Sequence, residues 1–227
     1  MTGPQPVPVI TIDGPTASGK GTIAAGIARR LGFNYLDSGS LYRLVSLQAQ
    51  ERGVSLDDEA ALAGIAGSLK PGFQGGRILL EGRDVTDPIR QESVGAAASR
   101  LAVLPAVRSA LVQLQQQSRV PPGLVADGRD MGTAIFPQAD LKIFLTADVQ
   151  SRAERRHKQL IEKGFSSTMS GLLQVLRERD ERDANRAVSP LRAAEDAVVI
   201  DSTHLSIEQT IDQVLGEWRA MVGKLGR

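Results

Sequence analysis

The 227-residue sequence contains no cysteine and only two histidines. The first absence excludes a disulfide framework, a thiolate metal site and a cysteine nucleophile, and it suits a reducing compartment. The second argues against a histidine-rich metal centre. His157 and His204 fall in ordinary helix and loop contexts, so neither is given a catalytic role. No run approaches the roughly 18 apolar residues of a membrane span, and Met1 to Pro8 lack the basic patch and apolar stretch of an export leader. A cytoplasmic protein with no membrane partner is expected. Excess charge is missing too: 27 basic against 26 acidic side chains give a net +1, which argues against a nucleic-acid partner, since that affinity comes from many Lys and Arg.

With 41% apolar residues, a chain of this length buries about 70% of its unfolded surface and needs no staples. Charge is unevenly spread. Lys142 to Arg192 holds 11 basic and 7 acidic residues, net +4, leaving the remainder at −3. That region is suited to an anion.

Strand and helix patterns alternate. Val7 to Ile12 is apolar and β-branched, a glycine-rich turn follows, and Ile23 to Leu31 has helical spacing. Phe33 to Leu36 is a second strand, followed by a helix through Tyr42 to Arg52 with Leu41, Leu44, Val45 and Leu47 as core candidates. Leu56 to Leu69 is helical, with Ser55 or Asp57 as possible caps. Phe73 to Pro88 breaks the rhythm with short antiparallel strands and tight turns, a small inserted subdomain. Gln91 to Ser118 is helical with a break near Pro105. Leu124 to Ala126, Leu141 to Leu145 and Ala197 to Ile200 bring the parallel strands to five. The last helix is capped by Ser206 with Gln209, its face formed by Ile207, Ile211, Val214, Leu215 and Trp218. The expected class is α/β, a three-layer fold with a five-stranded parallel sheet. No helix is apolar on both faces, and a monomer is expected.

The strongest local signal is Gly14-Pro15-Thr16-Ala17-Ser18-Gly19-Lys20-Gly21-Thr22 between a buried strand and a helix. This is the setting of a phosphate-binding loop (P-loop): glycines turn backbone amides inward, the helix adds its positive end, and Lys20 reaches the β and γ phosphates of a nucleotide. The general pattern has Ser or Thr directly after the lysine, where its hydroxyl meets Mg²⁺, but here Gly21 intervenes before Thr22. Downstream, Arg179, Asp183 and Arg186 fall at i, i+4 and i+7 on one helix face, and Arg152, Arg155 and Arg156 share another. These stripes flank the loop around Gly164 and read as a mobile lid over 152–190. The alternative is a solvated hairpin in which Glu178 with Arg182, and Arg179 with Asp183, neutralise each other.

Four further segments carry a family resemblance: Asp37-Ser38-Gly39 with Tyr42-Arg43; Ala98-Ser99 with Arg108; Asp127-Gly128-Arg129-Asp130-Met131-Gly132-Thr133; and Glu178 through Pro190. Together with the glycine loop they resemble bacterial cytidylate kinases over nearly the whole chain. The resemblance implies a single P-loop kinase domain over 1–227, a nucleoside monophosphate-binding subdomain near 71–105, and transfer of the γ-phosphoryl group of ATP to CMP or dCMP. It implies catalytic roles for Lys20, Arg129 and Arg179. Mg²⁺ would be held mainly through phosphates and water, with no dedicated protein ligand set. Asp127 either orders Mg²⁺ waters or holds its loop. Ser99, Arg108 and Asp130 would read cytosine, with Ser38 near the same ligand. Arg43 and Arg129 can clamp a monophosphate bidentately, and Arg179, Asp183 and Arg186 would serve the acceptor's phosphate and sugar. Two rival readings are a kinase for UMP or a sugar, and a non-catalytic ATP-binding regulator. A second phosphate clamp argues against the regulator.

Overall fold

The computed structural model describes residues 7–74, 76–162, 164 and 166–224. In chain order its first elements are β1 (Val9–Asp13), α1 (Lys20–Leu31), β2 (Asn34–Asp37), α2 (Ser38–Glu51) and α3 (Glu59–Gly67). A run of small strands follows, β3 (Pro71–Gln74), β4 (Arg77–Leu80) and β5 (Arg83–Asp84), then α4 (Glu92–Leu101) and α5 (Pro105–Gln117). The remainder is β6 (Leu124–Gly128), β7 (Leu141–Thr146), α6 (Val149–Glu162), α7 (Met169–Ala184), β8 (Val198–Asp201) and α8 (Ile207–Lys224). Two compact units result, residues 1–36 with 118–227, and residues 37–117.

The first unit is built on a five-stranded sheet ordered β2-β6-β1-β7-β8. The β1 pairings with β6 and β7, and that of β7 with β8, are parallel. Every residue of β1 and β6 is buried, which is why both are mostly apolar without alternation, Thr11, Asp13 and Asp127 being the polar exceptions. Register sets the chemistry. Ile12 pairs with Asp127 and Asp13 with Gly128, so β1 and β6 end level and their following loops leave the same sheet edge together, where open α/β sheets bind ligands. Ile10, Ile12, Ile27, Val125, Ile143 and Val214 anchor one continuous core between sheet and helices.

The expected strands and helices are present with local shifts. α1 begins at Lys20, a turn earlier than Ile23, because Gly19 takes the left-handed conformation (φ 91°) and its carbonyl accepts the Ile23 amide at 3.1 Å. β6 runs on to Gly128. At α8, the Ser206 amide donates to Gln209 Oε1 at 2.9 Å while the Gln209 amide donates to Ser206 Oγ at 3.1 Å, a reciprocal cap. Ile207, expected on the buried face, is instead 53% exposed. It sits at the first helical position, ahead of the contact made by Ile211, Val214 and Leu215. Trp218 closes the face edge-on against Phe33, with centroids 5.7 Å apart.

In the second unit, Pro105 opens α5 and so accounts for the break after α4. The α3 cap is Asp58, which accepts the Ala61 amide at 3.0 Å, rather than Ser55 or Asp57. β3, β4 and β5 form an antiparallel sheet. Glu81 (φ 52°) and Gly82 (φ 84°) make the two-residue turn between the last two, the positive pair a tight hairpin requires. Among the described residues no single helix is long and apolar enough to cross a membrane. Replacing Ser206 by alanine removes one half of the α8 cap and is expected to cost about 1 kcal/mol, measurable as a lower urea midpoint with unchanged slope.

Candidate active site

The glycine loop fills the turn from β1 to α1. Gly14 has no room for a side chain: a Cβ there would stand 2.1 Å from the Leu145 carbonyl oxygen. Lys20 Nζ reaches back over the loop to the Pro15 carbonyl at 3.2 Å. Ser18 Oγ is buried without a hydrogen-bond partner, a polar atom aimed into a loop of amides that an anionic oxygen would satisfy.

Two α6 arginines grip this loop from outside. Arg152, 5% exposed, donates from Nη1 to the Thr16 carbonyl at 3.1 Å and from Nε to the Ala147 carbonyl at 3.0 Å. It also forms a bidentate pair with Asp180 on α7, at 3.0 and 2.5 Å. Arg155 donates to the Ser18 carbonyl at 3.3 Å and to the Ser202 and Thr203 carbonyls. Arg152 is thus a buried strut, a role that a surface stripe does not suggest.

The strut leads to the arginine cluster. Asp183 is fully buried and accepts from Arg129 Nε at 2.8 Å and from Arg186 Nη2. Burial pushes the Asp183 carboxyl up, but the positive fields of Arg129, Arg186 and Arg179 outweigh it and hold the pKa below the ordinary carboxylate value. Three guanidinium groups thus act on this one carboxylate. Arg186 Nε is buried without a hydrogen-bond partner, a donor that phosphate could take up. Leu191 N donates to the Asp183 carbonyl at 2.8 Å, folding the segment after α7 back over its end. Sequence spacing placed Arg179, Asp183 and Arg186 together, and the structure adds Arg129 from the end of β6.

Asp13 was missed. It ends β1 immediately before Gly14 and accepts the Met131 and Gly132 amides, both at 2.8 Å. The last strand residue before the glycine loop therefore clamps the loop carrying Arg129 and Asp130. The only local signal was a carboxylate closing an otherwise apolar strand. Burial raises its pKa to about 6, against the two amide hydrogen bonds that lower it; Asp130 adds to the rise and Lys20 opposes it. Asp130 is itself buried and precedes the short helical turn Met131–Ile135. Asp127, also buried, accepts from the Tyr35 hydroxyl at 2.6 Å.

The remaining sequence candidates lie in the second unit. Ser38 is buried at the start of α2, whose cap Asp37 accepts the Ser40 amide at 3.0 Å. Arg43 on α2 donates from Nη1 to the Ile89 carbonyl at 2.7 Å and to that of Gln91 at 3.4 Å. Its guanidinium lies on Gly95 of α4, where a Cβ would come within 2.7 Å of Nη2. Ser99, one turn beyond Gly95, and Arg108 on α5 are both buried, and Arg108 Nη1 donates to the Ala102 carbonyl at 3.3 Å. Among the described residues no group of three or more His, Cys, Asp or Glu could hold a metal.

The cytidylate kinase family model matches residues 10–220. The chain belongs to the cytidylate kinase family. It is 60% identical to the cytidylate kinase of Bordetella bronchiseptica over 213 residues, covering 94% of this chain and 96% of that protein. It is 56% identical to the cytidylate kinase of Chromobacterium violaceum over 212 residues, covering 93% and 95%. A gluconokinase structure from Sinorhizobium meliloti 1021 superposes with a TM-score of 0.51 at 14% identity, over 96% of this chain and 95% of that one. That likeness concerns the fold alone. As a cytidylate kinase-family chain, the molecule is an α/β protein with a five-stranded parallel sheet carrying the glycine loop at its carboxyl edge.

Asp13 gives a pH signature with a definite sign. A carboxyl whose folded pKa is raised favours folding below the unfolded value of 3.8, and that contribution is lost as pH rises through about 6. The parent's unfolding free energy minus that of Asp13→Asn is therefore expected to fall by about 2 kcal/mol between pH 4 and 7. Urea titrations of both proteins at several pH values measure it. A flat difference would mean that Asp13 ionises at its ordinary value.

Proposed function

We propose that this chain transfers the γ-phosphoryl group of ATP to CMP or dCMP, releasing ADP and CDP or dCDP. The observation that carries the reading is the pairing of two anion-binding devices in one unit: a glycine loop with Lys20, and the Arg129, Arg179 and Arg186 cluster on Asp183, tied to that loop through Arg152 and Asp180. A chain that only sensed ATP would have no use for the second device. Membership of the cytidylate kinase family supplies the acceptor class.

In this mechanism an ionised oxygen of the CMP phosphate attacks the γ-phosphorus in line, the new P–O bond forms, and the bond to the bridging oxygen of ADP breaks. No general base is required, because the attacking phosphate carries its negative charge near neutral pH. The loop amides and Lys20 hold the donor phosphates, and Lys20 exchanges its Pro15 carbonyl contact for phosphate oxygen. Arg129, Arg179 and Arg186 neutralise the acceptor phosphate and the charge that builds between the reactants. Asp183, kept ionised, fixes the Arg129 and Arg186 forks and retains lone pairs for a ribose hydroxyl. Arg43 clamps phosphate, the Gly95 gap giving its guanidinium room. By family resemblance Ser38, Ser99, Arg108 and Asp130 are assigned to the CMP ligand, whose cytosine offers an N4 donor and N3 and O2 acceptors. Uracil inverts the first two and would leave buried groups unpaired at about 1 to 3 kcal/mol each. The donor set suits Mg²⁺ carried on ATP phosphates, with Asp127 Oδ2 3.5 Å from where a Gly21 Cβ would stand and, among the described residues, no group of three His, Cys, Asp or Glu to cage the ion. When bound, the ion supplies charge neutralisation across the β and γ phosphates. We assign 152–190 to a lid that excludes water and 71–105 to the acceptor-binding part.

An ADP-release assay across CMP, dCMP, UMP and AMP tests the assignment. CMP and dCMP are expected to turn over, with UMP slower by at least about tenfold in kcat/KM. Failure with every monophosphate, or preference for AMP, would contradict it. Lys20→Met is expected to lower kcat by about two orders of magnitude or more while circular dichroism stays that of the parent. Near-normal turnover would remove the loop from the mechanism.

A further inference from the structure

In the general phosphate-loop pattern the residue directly after the lysine offers a hydroxyl to Mg²⁺, whereas this chain has Gly21 there. The space beside Gly21 is nonetheless lined with oxygen. A Cβ on Gly21 would stand 3.4 Å from Tyr35 Oη and 3.5 Å from Asp127 Oδ2. Those two atoms are bonded to each other, the phenol donating to the carboxylate at 2.6 Å, in the length range of a charge-assisted O–H···O⁻ hydrogen bond. Three elements meet at this point: Gly21 in the first turn of α1, Tyr35 on β2 and Asp127 on β6. A serine hydroxyl carried on the Gly21 Cβ would fall within bonding reach of both oxygens. At 37% exposure, Tyr35 is not held by deep burial.

We propose that Tyr35 is a positioning residue for the metal edge of the loop. It supplies from β2 the hydroxyl that Gly21 lacks and orients Asp127 toward the water shell of the Mg²⁺ that enters on ATP. This rests on the ATP-donor reading above. Outer-shell partners that orient metal-ligating groups typically change metal affinity by tenfold or more. The vacancy at Gly21 and the phenol of Tyr35 then form a compensating pair: a hydroxyl can come from either side of the same small space.

The test is ATP binding by titration calorimetry, with Mg²⁺ and with EDTA, for the full chain, Tyr35→Phe, and the double variant Gly21→Ser with Tyr35→Phe. The parent is expected to bind ATP more tightly with Mg²⁺. Tyr35→Phe should lose about tenfold of that gain, its affinity in EDTA staying within about twofold of the parent, and the added serine should restore most of the loss. Ordinary contact distances at the Gly21 Cβ position let that serine be accepted without displacing the loop. An unchanged Mg²⁺ gain in Tyr35→Phe, an equal loss with and without the metal, or no recovery with serine would each overturn the role of Tyr35 while leaving ATP as donor. A parent that binds no ATP at all would instead overturn the kinase reading, and this inference with it.

Discussion

The buried guanidinium of Arg152 joins the glycine loop to the helix that carries the arginine cluster. On one side it donates to the Thr16 carbonyl of the glycine loop, and on the other it pairs twice with Asp180. Asp180 shares α7 with Arg179 and Asp183, and Asp183 holds Arg129 at the end of β6. A charge taken out of water is tolerated only when its partners are complete, so the Arg152 contacts must form as a set. In this structure those contacts join α7 to the glycine loop. Level strand ends in β1 and β6 give the same parts a common sheet edge.

Two buried aspartates in this unit illustrate how environment divides one side-chain type into two behaviours. Asp13 accepts two amide hydrogen bonds and feels Asp130 against a weaker Lys20, so burial dominates and its pKa rises. Asp183 is at least as hidden from solvent, yet it faces three arginines and stays below the ordinary value. Asp13 thereby works as a backbone clamp that does not need its charge. Asp183 must keep its charge to hold the guanidinium forks in place. Neither assignment follows from the residue type alone.

Much of this was legible in the sequence because it is written in local patterns. The glycine loop between strand and helix, the apolar runs of β1, β6 and β7, the Ser206 and Gln209 cap and the i, i+4, i+7 spacing of Arg179, Asp183 and Arg186 all depend on neighbours within a turn or two. What stayed hidden was partner choice across long separations. Nothing near Asp13 announces that it will accept the Met131 and Gly132 amides, nothing near Tyr35 points to Asp127, and Arg152 looks like any arginine on a charged helix. The cap of α3 shifted by one residue, to Asp58, because several polar residues in a row offer equivalent local choices. The exposure of Ile207 arose because a helix's first turn can extend beyond its contact surface.

The most direct measurement is a double-mutant cycle on Arg152→Ala and Asp180→Ala, read in kcat/KM for CMP and in unfolding free energy. If Arg152 joins the glycine loop to the arginine helix, the single variants should each lose heavily, and the pair should lose little more than either one, with a coupling of about 2 kcal/mol. Losses that simply add, or an Arg152→Ala protein with unchanged CMP kinetics, would contradict the linkage and leave the glycine loop and the arginine cluster independent.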